Sequence, residues 1–113
     1  ASGRSYTQRA EIDPTITMDY IRAVREVYAD GKDLTSPFLS PLFGDFTGFP
    51  PTLIQAGTNE LLLSDSIRLR DRLVQSGVPC RMELWPDMWH VFQMFPTRKS
   101  ALAMESIGKF LLD

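Results

Sequence analysis

The chain holds one histidine, His90, in the segment WPDMWHVFQ, thirty residues beyond Glu60 in the acidic turn GTNELLLSDS. A carboxylate in the turn after one strand and an imidazole in the turn after the next are the acid and base of a proton shuttle. In such a pair the carboxylate accepts the Nδ1 hydrogen, fixes the tautomer and stabilises the imidazolium. Nε2 then takes the proton of a serine hydroxyl and returns it to the leaving alkoxide.

Two other acids compete for the role of Glu60. Asp65 suits the start of a helix and Asp87 suits a turn after Pro86, so Glu60 is preferred and Asp65 is the alternative. The bland readings are that His90, between Trp89 and Val91, is a packed core residue, and that Glu60 is a carboxylate favoured by a helix macrodipole. What favours chemistry is the pairing of the two turns. The nucleophile is not evident: Ser40 lies in Leu39-Ser40-Pro41 and lacks the Gly-x-Ser-x-Gly elbow, while Ser64 and Ser66 suit helix caps.

Positioning these groups requires two strand–helix units. Thr52 to Gly57 is a mostly apolar run bounded by Pro51 and a glycine, as in a buried parallel strand. Ser64 or Asp65 can cap a helix whose Ile67, Leu69, Leu73 and Val74 face a core, with Gly77 just past its end. Cys80, Met82 and Leu84 alternate with Arg81, Glu83 and Trp85 in a second strand that Pro86 closes. A helix from about Arg98 to Leu112 follows the loop Asp87 to Pro96, with Met104, Ile107 and Leu111 on one stripe. This order predicts a right-handed crossover and neighbouring parallel strands. Ligands meet such sheets at the carboxyl ends of the strands, where both candidate groups lie.

The first half is less regular. Residues 1 to 16 read as a polar lead-in containing Asp13-Pro14. A short amphipathic helix follows a Thr17 cap, with Ile21, Val24, Val27 and Tyr28 inward and Gly31 as its stop. From Lys32 to Pro51, four prolines and two glycines exclude a long regular element. Phe38, Leu39, Leu42, Phe43, Phe46 and Phe49 predict that this loop is ordered and packed. The aromatic set Phe38, Phe43, Phe46, Trp85 and Trp89 reads as core and interface before acyl pocket.

Composition excludes several classes. With 43% hydrophobic residues and a net charge of -2, the chain is expected to fold and not to bind nucleic acid. One cysteine and one histidine are too few for a structural zinc site, and a lone Cys80 suits a reducing, cytoplasmic setting. No apolar run is long enough to span a bilayer. Two parallel strands leave an open edge, so they are expected to complete a larger sheet.

The run SPLFGDFTGFPPTLIQAG, then SGVPC, then WPDMWHVF resembles, in order, the C-terminal part of α/β-hydrolase esterases of the hormone-sensitive lipase family, bacterial carboxylesterase type. The segment SYTQRAEIDPTIT and the helix after it resemble the stretch that contributes to that family's lid. The resemblance implies an α/β fold, with residues 1–32 a lid-like or connecting segment and 33–113 the last two strand–helix units of the hydrolase domain. It implies Glu60 and His90 as triad acid and base, and Leu61, Val91 and Phe92 as substrate contacts. Many relatives carry an aspartate turn of the form DPLRDE where this chain has NELLL, and HGF where it has His90-Val91-Phe92. The family's HGGG oxyanion segment and GDSAG-type serine elbow are absent from this sequence.

The implied activity is hydrolysis of short to medium acyl esters through an acyl-enzyme, with no metal or organic cofactor. The implied partners are a small-molecule ester and the N-terminal part of the same hydrolase. A homodimer through Arg81 to Trp85 and the last helix is a further expectation. The chain by itself is expected to be inactive. A serine peptidase of the prolyl oligopeptidase type and a non-catalytic hydrolase-like interaction domain are the alternatives.

Overall fold

The computed structural model describes residues 2–113. Helix α1 (Ser5–Gln8) and helix α2 (Met18–Ala29) precede strand β1 (Thr52–Gly57), helix α3 (Leu63–Gln75), strand β2 (Cys80–Trp85) and helix α4 (Arg98–Leu112). Single 3-10 turns at Pro41–Phe43 and Phe92–Met94 punctuate the two long connections. The strands pair in parallel from Thr52 opposite Cys80 to Gly57 opposite Trp85. That register puts the residue after each strand on the same rim.

Three small cores hold these elements. Phe46, Leu73 and Val78, joined by Ile54, Leu69 and Cys80, pack α3 and the proline-rich loop onto one face of the sheet. Met88, Phe92 and Ala103, with Trp85 and Trp89, pack α4 beneath the loop after β2. Tyr6, Ile16 and Leu61, with Ile21 and Leu62, fasten the N-terminal segment to the turn after β1. Residues 2 to 16 are therefore not irregular throughout. They contain α1 and are part of the structure around that turn.

The helix boundaries follow the expected signals in part. Thr17 caps α2 by accepting the Tyr20 N–H, and Thr97 caps α4 by accepting the Ser100 N–H. Ser64 and Asp65 do not cap α3, which starts at Leu63 without a side-chain cap. The physical reason is competition: Ser64 Oγ accepts the Ser5 N–H, and Asp65 accepts the Tyr6 hydroxyl.

Several residues expected inside are outside. Val24, Val27 and Tyr28 on α2, Val74 on α3, and Met104 and Leu111 on α4 are exposed, and Phe38 is 93% exposed. Periodicity located an apolar stripe on each helix, but the buried residues of α4 are Ser100 and Ala103 and that of α2 is Ala29. Of the large apolar residues on the α2 and α4 stripes, Ile21, Ile107 and Phe110 are half-buried and the others face solvent. No helix is long and apolar enough to cross a membrane among the described residues.

Candidate active site

The site forms because the loops after β1 and β2 are stitched together at the sheet's carboxyl rim. The Thr58 N–H donates to the Trp85 carbonyl at 3.0 Å, and the Asn59 N–H to the Met88 carbonyl at 2.9 Å. In return the Asp87 N–H donates to Thr58 Oγ1 at 2.8 Å. Asp87 itself adopts φ 63°, the left-handed turn conformation that Asp tolerates better than most residues. It makes the turn expected of it.

Within this frame Glu60 sits in a tight turn, its N–H donating to the Gly57 carbonyl at 3.2 Å. Its side chain folds back into the protein. Oε2 accepts the Gly57 N–H at 2.9 Å, and Oε1 lies 2.8 Å from His90 Nδ1. Two partners thus fix the carboxylate's orientation, and little of it meets water: the Glu60 side chain is 8% exposed against 32% for His90. An imidazole ring with Nδ1 against a carboxylate presents Nε2 on its opposite side. The pair can therefore hold the Nδ1–H tautomer and leave Nε2 free to accept a proton.

Asp65, the alternative acid, is engaged elsewhere. It accepts the Tyr6 hydroxyl and pairs with Arg68 at 3.6 Å. Burial, reinforced by Asp65, pushes the Tyr6 phenol well above its ordinary range.

The three expected substrate contacts separate. Leu61 and Phe92 are 0% and 1% exposed, filling the core clusters around Tyr6 and Met88, so neither presents a surface to a ligand. Their apolar character reflects packing. Val91 is exposed and adopts φ 50°, ψ 33°, a conformation unfavourable for a β-branched residue. Glycine avoids that strain, which gives a physical reason for the HGF form seen where this chain has His90-Val91-Phe92.

Two positioning features were not legible from residue type. Gly57 is one: a Cβ there would lie 2.0 Å from the Met88 carbonyl oxygen, so the two loops meet at this distance only over a glycine. Asp13 is the other. It is buried, and its Oδ2 accepts the Leu61 N–H at 2.8 Å. The sequence signal at Asp13-Pro14 was that of a turn, and nothing local distinguishes a turn aspartate from one reaching a residue 48 positions away. No group of three or more His, Cys, Asp or Glu residues suited to a metal occurs among the described residues.

Comparison with known proteins agrees with this architecture. A family model described as alpha/beta hydrolase fold matches residues 1–94. An acetyl-hydrolase of Streptomyces hygroscopicus is 35% identical over 111 residues, covering 96% of this chain and 37% of that protein. An esterase of Acinetobacter venetianus is 38% identical over 96 residues, covering 80% of this chain and 32% of its own length. Among solved structures, an esterase from the bacterial hormone-sensitive lipase family superposes with a TM-score of 0.92 at 37% identity, covering 97% of this chain and 38% of that one. A hormone-sensitive lipase from a metagenome library gives 0.90 at 34% identity, covering 95% and 38%. The chain spans about a third of the length of the curated relatives it matches.

Proposed function

Because the chain belongs to the α/β-hydrolase esterases of the hormone-sensitive lipase family, we propose that Glu60 and His90 are the acid and base of a serine esterase's catalytic triad. The observation that carries this reading is the 2.8 Å contact between Glu60 Oε1 and His90 Nδ1. A serine from the remainder of the hydrolase attacks the ester carbonyl while His90 Nε2 takes its proton. Collapse of the tetrahedral intermediate breaks the carbon–oxygen bond, and the imidazolium returns the proton to the departing alcohol. Water, deprotonated by the same nitrogen, then releases the carboxylic acid and restores the serine.

The chain alone supplies neither nucleophile nor oxyanion donors, so it does not turn over by itself. Residues 33–113 act as the last two strand–helix units of the domain, and residues 1–32 as a lid-like segment. Exposed apolar residues such as Val24, Val27 and Leu84 fit burial against the rest of the hydrolase, or against a second copy at the β2 edge. Substrates are esters of short to medium acyl chains, with Val91 beside the acyl group. The test is His90→Ala in the complete enzyme, assayed on a p-nitrophenyl ester. Loss of about 10³-fold or more in kcat is expected for removal of the base; retained turnover would refute the assignment.

A further inference from the structure

The residue next to Glu60 is held at both ends of its backbone by the N-terminal segment. The Leu61 N–H donates to Asp13 Oδ2 at 2.8 Å, and the Leu61 carbonyl accepts the Ser5 hydroxyl at 2.6 Å. The Leu61 side chain is fully buried against Tyr6 and Ile16 of the same segment. A side chain leaves the backbone in a direction set by its own peptide planes, so clamping Leu61 restricts how Glu60 can aim its carboxylate.

Asp13 is built for this task in a way that a turn aspartate is not. Its Oδ1 alone satisfies the local turn, accepting the Thr15 N–H at 2.9 Å, the Thr15 hydroxyl at 2.8 Å and the Ile16 N–H at 3.2 Å. Oδ2 is left for the long-range bond to Leu61. Burial pushes the Asp13 carboxyl up, but the Leu61 and Thr15 donors and the Ile16 N–H outweigh it and hold it below the usual range. At neutral pH it is therefore an acceptor at both oxygens.

We propose that Asp13 is a positioning residue for the Glu60–His90 pair, aligning the acid by holding the Leu61 amide and so helping to fix the imidazole tautomer. This rests on the triad reading above, and it couples the N-terminal segment to the acid–base pair through the Leu61 backbone. Asparagine at position 13 can keep one oxygen on the Thr15 and Ile16 donors. Its NH2 group then opposes the Leu61 N–H, donor against donor, so Asp13→Asn releases the clamp selectively.

His90 is the only histidine of the chain, so ring 15N NMR of the histidine-labelled chain in alkaline buffer reports its tautomer without ambiguity. Wild type is expected to be almost wholly Nδ1–H. Glu60→Ala, which removes the acceptor, and Asp13→Asn should each reduce the Nδ1–H form to below about half. Thr15→Ala, which disturbs only the local turn, should leave it at the wild-type level. If Glu60→Ala leaves the tautomer unchanged, the acid–base pairing itself fails. If Glu60→Ala shifts it and Asp13→Asn does not, or if Thr15→Ala shifts it equally, the role of Asp13 alone is overturned. Should Asp13→Asn not fold, Asp13→Glu, whose carboxylate is displaced by one methylene, takes its place with the same two outcomes.

Discussion

Gly57 passes so close beneath Met88 that a side chain on it would meet the Met88 carbonyl oxygen at 2.0 Å and its carbon at 2.3 Å. Both atoms belong to backbone, which has no rotamer with which to yield. Gly57→Ala should therefore destabilise the chain by about 3 kcal/mol or more, at the upper end of overpacking costs. Urea denaturation of the two proteins measures it directly, and the Glu60–His90 contact should be lost in any folded remainder.

The opposite effect is expected one residue past the histidine. Val91 holds φ 50° with 43% of its surface in solvent, so replacing it by glycine removes backbone strain while giving up a side chain that is only partly packed. Strain relief of about 1–2 kcal/mol, offset by the entropy glycine loses on folding, leaves a net gain of roughly 0.5–1 kcal/mol for Val91→Gly. A raised urea midpoint would bear this out; a lowered one would not.

Glu60 serves two partners at once, accepting the Gly57 N–H on one oxygen and facing His90 with the other. Aspartate keeps the charge but is one methylene short of spanning both. In the complete enzyme, Glu60→Asp should lower kcat by about 10- to 100-fold, and Glu60→Gln, which removes the charge that stabilises the imidazolium, by about 10³- to 10⁴-fold. Steady-state ester hydrolysis with active-site titration separates the two.

Acid should weaken the N-terminal clamp. The Asp13 carboxyl titrates lower in the folded chain than in the unfolded one, because the donors on it outweigh its burial. Its stabilisation is therefore complete above the unfolded value of about 3.9 and disappears as pH falls through the lower folded value. Asp13→Asn should be less stable by about 1–3 kcal/mol near neutrality, the cost of leaving the buried Leu61 N–H without an acceptor. That difference should narrow as pH falls below the ordinary carboxylate range, as seen by urea unfolding at stepped pH.

Alkali should act on the neighbouring contact. The Tyr6 phenol is raised by burial and by the Asp65 carboxylate, so the neutral ring stabilises the fold up to the ordinary tyrosine range near pH 10. That stabilisation is lost as pH climbs through the higher folded value. Tyr6→Phe, which cannot ionise, should show a flatter alkaline stability profile than wild type.

Much of the architecture is written locally. Alternation in Cys80–Trp85, the run Thr52–Gly57 and the glycine after α3 specify two strand–helix units, because each signal depends on the few residues beside it. Parallel pairing of consecutive units then brings the turns holding Glu60 and His90 to one rim, so the meeting of these two residues is legible in the sequence. What residue type could not tell is how the apolar surface is shared. Leu61 and Phe92 looked like pocket lining and are core, while Val27 and Phe38 looked like core and are exposed. Burial depends on which surfaces meet, and those partners lie dozens of residues apart. The same is true of Asp13 and Gly57: one is a turn aspartate and the other a strand-ending glycine until folding brings the Leu61 amide to the first and the Met88 carbonyl to the second. The sequence by itself determined the order of the elements and brought the turns of Glu60 and His90 to one rim. Only the tertiary structure decided what holds that pair in line, because hydrogen bonds and steric limits of a few ångströms act between positions that local pattern cannot relate.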